Sequence, residues 1–147
     1  MSRILITGGS DLLALNWATI TRESHEVLLV THRRLIALRG TISQYHDLES
    51  LDSVKRMLDL HQPDVVVNTV GITDVDLCEI EPDLAWRANV LTAENLAIAC
   101  SQTRLSMVHI STDHFFDNLE GPAEETSPFN PCNVYARTKA EAEHRVL

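Results

Sequence analysis

The chain has 147 residues, 44% of them apolar, which is one domain's worth of sequence with enough hydrophobic side chain for a core. Twelve basic against 21 acidic residues leave a net charge of −9, which argues against nucleic acid or an anionic membrane surface as the main partner. No apolar run approaches the ~18–20 residues of a membrane span, and residues 1–8 turn polar too early for a secretion signal. Cys78, Cys100 and Cys132 are odd in number and widely spaced, and the seven histidines show no ligand spacing. A cytoplasmic protein without disulfides or metal is expected.

Arg3-Ile4-Leu5-Ile6-Thr7 is a short apolar run stopped by Gly8-Gly9, as a buried parallel strand would be. Apolar residues then recur at helical spacing over residues 12–22, giving strand, glycine turn and helix. Residues 26–31 read as a second strand and 41–45 as a weaker third. Leu51, Val54 and Leu58 mark a helix over 51–61. Val65-Val66-Val67-Asn68 is the clearest buried strand. Pro82 suits the first turn of a helix, expected to run to about residue 101 with Leu84, Ala88, Leu91, Asn95 and Ile98 along it. Residues 105–111 form a fifth strand. A polar loop with Pro122, Pro128 and Pro131 then leads into a last helix. Strands alternating with helices predict an α/β, doubly wound parallel sheet, a Rossmann fold, over residues 1–147.

Two places in this frame carry chemistry. Residues 7–14, Thr-Gly-Gly-Ser-Asp-Leu-Leu-Ala, lie where such a fold binds a pyrophosphate, around Gly8, Ser10, Asp11 and Leu12. The usual spacing asks for glycine at 8, 11 and 14, and only Gly8 is present. Ala14 is a mild change. Asp11 places a negative side chain where backbone should approach a diphosphate, unless it, or Ser10, simply caps the helix. After the second strand, His32, Arg33 and Arg34 stand where an acidic residue would hold the ribose of NAD, so NADP is the expected cofactor and NAD the alternative, unless the arginines are simply solvated at a strand end. Asp47 and Leu48 follow the third strand and reach the adenine edge, although a helix cap explains Asp47 equally well. Near the C-terminal end, Tyr135 and Lys139 are four apart, one turn from each other on one helix face. An ammonium held near a phenol favours the phenolate and fits the tyrosine for proton exchange with a carbonyl or alcohol oxygen.

Several blocks together resemble the extended short-chain dehydrogenase/reductases, in particular the dTDP-4-dehydrorhamnose reductase family and its sugar-nucleotide-modifying relatives. They are residues 4–8, Pro63-Asp64-Val65-Val66-Val67-Asn68, residues 73–79, Asn89 with Ala93-Glu94-Asn95-Leu96, residues 109–117 (His-Ile-Ser-Thr-Asp-His-Phe-Phe-Asp), and residues 131–139 with Glu143. The resemblance implies an NADP-dependent reductase of a nucleotide-linked 4-ketosugar. Tyr135 would protonate the ketone oxygen as hydride arrives, Lys139 would assist the phenol and bond the nicotinamide ribose, and Thr112 would hydrogen-bond the carbonyl unless it merely caps a helix or turn in Ser111-Thr112-Asp113. Asn68, Val70 and Gly71 would lie beside the cofactor, and Asn89 would support the lysine through a buried network unless it is merely a buried asparagine satisfied by backbone. His114 and Ala136 depart from the usual Tyr and Gly at their positions. Family members have about twice this length, so a fragment or a short form is expected, lacking the last strands and the C-terminal substrate lobe. The resemblance also admits a non-catalytic regulatory protein like the methionine adenosyltransferase β subunit, which would have an enzyme partner, or an epimerase or dehydratase. The implied partners are a nucleotide sugar and, for assembly, a second copy or an enzyme.

Overall fold

The computed structural model describes residues 1–116 and 121–147; Asp117, the last residue of the 109–117 block, lies outside the described residues. Its centre is a five-stranded, all-parallel sheet ordered β3-β2-β1-β4-β5, with β1 Arg3–Thr7, β2 Glu26–Thr31, β3 Thr41–Tyr45, β4 Val65–Asn68 and β5 Ser106–His109. The helices are α1 Leu12–Thr21, α2 Leu51–His61, α3 Val75–Ile80, α4 Pro82–Trp86, α5 Thr92–Thr103 and α6 Val134–Val146, with a π-helical turn, Arg87–Leu91, between α4 and α5.

β1, β2 and β4 are almost wholly buried because apolar residues on both faces meet helices. One face packs Leu5, Leu28, Val30 and Val66 against Val54, Met57 and Leu58 of α2 and Leu96, Ala99 and Cys100 of α5. The other packs Ile4, Ile6, Val27, Leu29 and Val67 against Ala14 and Ala18 of α1. Alternate residues of the same strands serve opposite faces, as the two-residue period requires. The small Ala14 and Ala18 let α1 approach the sheet closely.

Four boundaries differ from the sequence expectation. β5 is shorter than residues 105–111 because its pairing runs only along the four residues of β4, from Val65 opposite Ser106 to Asn68 opposite His109. The helix α3, not anticipated, is one short segment capped by Asp74, whose Oδ1 accepts from Leu77 N at 3.0 Å. The long helix from Pro82 reaches Thr103, and the π turn divides it. The residues buried along this segment are Ala85, Asn89, Val90, Thr92, Ala93, Asn95, Leu96, Ala99 and Cys100, a helical stripe centred about one position on from the one expected. Of the stripe expected, only Asn95 is buried; Leu84, Ala88, Leu91 and Ile98 are not fully buried. Lastly, Arg22 is the C-cap of α1 rather than its final turn.

A tyrosine–lysine helix beside a cation-rimmed cavity

The carboxyl ends of the strands surround a cavity of about 410 Å³. Gly8, Ser10 and Asp11 come from the β1–α1 turn, and His32, Arg33 and Arg34 follow β2. Asp47 and Leu48 follow β3, and Val70 and Gly71 follow β4. The fold therefore gathers ten expected cofactor residues around one space. Leu12 does not join them: its side chain is 80% exposed on the first turn of α1. Asn68 lies beneath the cavity, fully buried. His46, Glu49, Ile72, Leu84, Ala88 and Thr92 also line the space. None has a local motif that would have marked it.

The first turn is built around Gly8. Its φ of +68° is in the left-handed region, and a Cβ there would stand 2.5 Å from Thr69 Oγ1. Thr69 Oγ1 in turn donates to Thr7 O at 2.7 Å, tying the ends of β1 and β4 together. Asp11 occupies the N-cap position of α1 with extended backbone, yet its side chain makes no cap hydrogen bond, so capping does not account for it. Burial raises its carboxyl above the ordinary aspartate range. On the opposite rim, no salt bridge or hydrogen bond among the described residues engages the His32, Arg33 or Arg34 side chains. Asp47 is not a helix cap either: its Oδ1 accepts from Glu49 N at 2.9 Å, while Ser50 caps α2 through Ser53 N.

Beneath this cavity is a polar layer. Asn68 Oδ1 accepts from Thr7 Oγ1 at 2.6 Å and from Val70 N at 3.1 Å, which fixes the turn after β4. Its Nδ2 lies 3.0 Å from His109 Nδ1, so that ring nitrogen accepts and Nε2 carries the proton. Nε2 is buried without a hydrogen-bond partner among the described residues. Burial, and then the nearby Lys139 charge, push the His109 imidazole down to about 4. Because the unfolded chain protonates near ~6.5, it binds the extra proton first as pH falls. The stability tied to neutral His109 is thus complete above about pH 6.5 and is lost on acidification toward pH 4, by roughly 2–3 kcal/mol once solvent screening is allowed for. Urea unfolding at pH 7 and pH 4.5 should show this loss, and His109→Gln should remove most of that slope.

The last helix brings Tyr135 and Lys139 onto one buried face. Asn133 caps it, accepting from Ala136 N at 2.7 Å, and Glu79 of α3 accepts from Val134 N at 2.7 Å. Lys139 is only 5% exposed, and its Nζ donates to Ile110 O, just past β5, at 2.6 Å. Burial lowers the Lys139 ammonium from its ordinary range, with Glu143 opposing. The Tyr135 ring packs edge-on against His114 at a centroid distance of 5.5 Å. Thr112 sits in the loop after β5 rather than on its end, and its Oγ1 accepts from His114 N at 3.3 Å. That bond is the turn cap the sequence admitted, and it leaves the hydroxyl proton free to donate. Tyr135, Lys139 and Thr112 do not line the cavity itself.

Asn89 bonds the turn after β4 and the helix that carries Lys139. It is fully buried in the π turn. Its Oδ1 accepts from Ile72 N at 2.7 Å, and its Nδ2 donates to Thr138 Oγ1 at 2.9 Å and Ile72 O at 3.3 Å. Thr138 Oγ1 donates to Tyr135 O at 2.8 Å. Asn89 therefore braces α6 against the cavity turn and does not hydrogen-bond Lys139.

A parallel sheet in this order, a cavity at its carboxyl ends and a buried Tyr–Lys pair on the following helix define a Rossmann domain of the short-chain dehydrogenase/reductase type. The family model described as RmlD substrate binding domain matches residues 1–147, and the chain belongs to that family. A dTDP-4-dehydrorhamnose reductase from Aggregatibacter actinomycetemcomitans is 33% identical over all of this chain and 47% of that protein. A hypothetical dTDP-4-dehydrorhamnose reductase from Sulfolobus tokodaii superposes with a TM-score of 0.87 at 32% identity, covering 99% of this chain and 52% of that one. Methionine adenosyltransferase 2 subunit beta from Xenopus tropicalis is 32% identical over 71% of this chain and 31% of its own length. The chain spans about half the length of the reductases it matches.

Proposed function

We propose that this chain is the dinucleotide-binding half of an NADP-dependent reductase acting on a nucleotide-linked 4-ketosugar. The observation that carries the reading is the cavity at the strand ends, rimmed by His32, Arg33 and Arg34, whose side chains have no partner among the described residues, and adjoined by a helix whose Lys139 is anchored to Ile110 O. Unpaired guanidiniums suit a ribose 2′-phosphate by charge and by their fork of donors. The residues present fit the 2′-phosphate end of the cofactor well. At the diphosphate, Asp11 opposes it.

NADPH, when bound, supplies the hydride. Tyr135 gives its phenol proton to the ketone oxygen as negative charge develops there. Thr112 donates its free hydroxyl proton to the same oxygen. Lys139, fixed by Ile110 O, keeps two further N–H donors for a ribose hydroxyl and the phenol. The Asn68 layer holds Val70 and Gly71 at the cavity wall.

The test is calorimetric binding of NADP+ and NAD+. Wild type should prefer NADP+, and Arg33→Ser and Arg34→Ser should each lower that preference about tenfold, or ~1.4 kcal/mol. Absence of NADP+ binding by both wild type and Asp11→Gly would overturn the reading. A second reading, a nucleotide-binding regulatory subunit with an enzyme partner, is favoured by Asp11 alone. Consumption of NADPH with a nucleotide-linked 4-ketosugar excludes it; co-purification with an enzyme and no such consumption supports it.

A further inference from the structure

We propose that His46 and His61, together with the side-chain amide oxygen of Gln44, form a binding site for a divalent transition-metal ion of the zinc class. The sequence shows no ligand spacing because the two histidines are 15 residues apart and belong to different elements. His46 follows β3, and His61 ends α2. The fold brings His46 Nε2 to 3.3 Å from His61 Nε2, and the same nitrogen lies 3.3 Å from Gln44 Oε1. The two rings meet nearly at right angles, 83°, with centroids 5.3 Å apart. Gln44 and His46 reach the same side because residues two apart on an extended chain share a face.

Proton bookkeeping makes this cluster unusual. His46 Nε2 carries at any moment one proton or one lone pair, yet two polar atoms crowd it at equal distance. If it carries the proton, it can donate well to only one of them. If it carries the lone pair, His61 can donate to it, and Gln44 Oε1 then faces another acceptor. A metal ion removes the conflict, since each of the three atoms offers it a lone pair. The two separations from His46 Nε2 also fit: metal–ligand bonds of about 2.0–2.1 Å at a tetrahedral angle put ligand atoms about 3.3–3.4 Å apart. Water would complete a four-coordinate site. Both imidazoles are held below the ordinary histidine range, His46 by burial and then by His61, and His61 by burial and then by Arg3. The lone pairs a metal needs are therefore available at neutral pH.

The charges nearby are Arg3 and Glu26. Arg3 Nη1 donates to His61 O at 2.6 Å, and its Nη2 pairs with Glu26 at 3.1 Å, which offsets the guanidinium charge. Among the described residues no cluster of three or more His, Cys, Asp or Glu is placed to hold an ion, so the third protein ligand has to be the amide. A bound ion would join the segment carrying Asp47 and Leu48, which lines the cavity, to the far end of α2.

The experiment is titration of tag-free, chelator-treated protein with Zn²⁺ by calorimetry and with Co²⁺ by visible absorption. Micromolar binding at a ratio of one ion per chain is expected, with the intense visible bands of four-coordinate Co²⁺ and a rise of several degrees in the unfolding temperature. His46→Asn and His61→Asn should each weaken binding at least tenfold, Gln44→Ala by severalfold, and His144→Asn should leave it unchanged. Affinity should fall on acidification as the imidazoles take protons. Unchanged affinity in both histidine variants, a pale octahedral Co²⁺ spectrum, or no stabilisation at about 1 mM Zn²⁺ would each overturn the proposal. Should a histidine variant fail to fold, Gln44→Ala and the Co²⁺ spectrum of the wild type decide. None of these readouts depends on nucleotide binding.

Discussion

Replacing Asp11 with glycine is expected to tighten binding of NADP+ by roughly tenfold to a hundredfold. Asp11 lines the cavity at the start of α1, where helix N–H groups and the macrodipole favour an anion. Its own charge works against that preference. At a separation of about 7 Å and an effective dielectric of about 20, a carboxylate and one phosphate charge repel by about 2 kcal/mol. Solvent screening reduces this, and two phosphates restore part of it. Glycine also removes a side chain from the path of the diphosphate. The fold should tolerate the change, because the Asp11 side chain makes no cap bond and glycine at an N-cap costs only a few tenths of a kcal/mol. Asp11→Asn separates charge from bulk: it should recover most of the affinity if repulsion dominates and little if space does.

The pH dependence has a definite sign. Burial raises the Asp11 carboxyl above its ordinary value, so it takes a proton earlier than an exposed aspartate as pH falls. Wild-type affinity should therefore rise on acidification, and that of Asp11→Gly should change much less over the same range. Calorimetry across pH 5 to 8 measures both. Equal affinity of wild type and Asp11→Gly at every pH would remove Asp11 from any account of ligand selection.

The strands are legible in the chain because Val, Ile and Leu on both faces leave no other use for such short runs. Val65–Asn68 and Glu26–Thr31 are buried along nearly their whole length, and each ends on a polar residue, Asn68 beneath the cavity and Thr31 at its wall. The loop after Glu26–Thr31 is legible through charge, since Arg33 and Arg34 stand where a ribose would lie, although solvated arginines at a strand end look the same in the sequence. The features that stay hidden depend on distant partners. His46, Leu84, Ala88 and Thr92 reach the cavity from elements whose approach is set by packing, and no local pattern reports it. The π turn leaves no mark in hydrophobic spacing, and the buried Ala85, Asn89, Ala93, Leu96 and Cys100 follow a helical period as well as Leu84, Ala88, Leu91, Asn95 and Ile98 do, so periodicity alone does not choose between the two faces. Asn89 stands out in its block, but its partner does not, because Thr138 lies 49 residues away. The Tyr135–Lys139 spacing predicts a shared face, while the bond from Lys139 to Ile110 O depends on where β5 ends.

Asn89→Ala is expected to lower the unfolding free energy by about 2–4 kcal/mol. Asn89 is fully buried and makes three hydrogen bonds to two other segments. Alanine leaves Ile72 N, in the half-buried turn, without its acceptor, and an unsatisfied buried donor costs about 1–3 kcal/mol. Thr138 suffers less, because its hydroxyl still donates to Tyr135 O. Loss of side-chain contacts supplies the remainder. The damage should extend beyond stability, because π turns persist where a specific interaction holds them and are frequent at functional sites. Without Asn89 bridging Ile72 to Thr138, the turn can rewind toward α geometry. That would rotate α4 against α5 and α6, moving Tyr135 relative to the cavity wall at Gly71, where a Cβ would already approach Asn89 Oδ1 to 3.2 Å. Thr138→Val tests the other end of the bridge. It removes the acceptor for Asn89 Nδ2 but leaves the Ile72 N bond in place, so it should cost less than Asn89→Ala. Because the two side chains share one bond, the double variant should be less destabilised than the sum of the singles by about 1 kcal/mol. Urea unfolding followed by tryptophan fluorescence reads all three, with Trp86 next to the turn. Full additivity would mean that Asn89 and Thr138 stabilise the fold separately, and the brace between the cavity and the helix that carries Tyr135 and Lys139 would not exist.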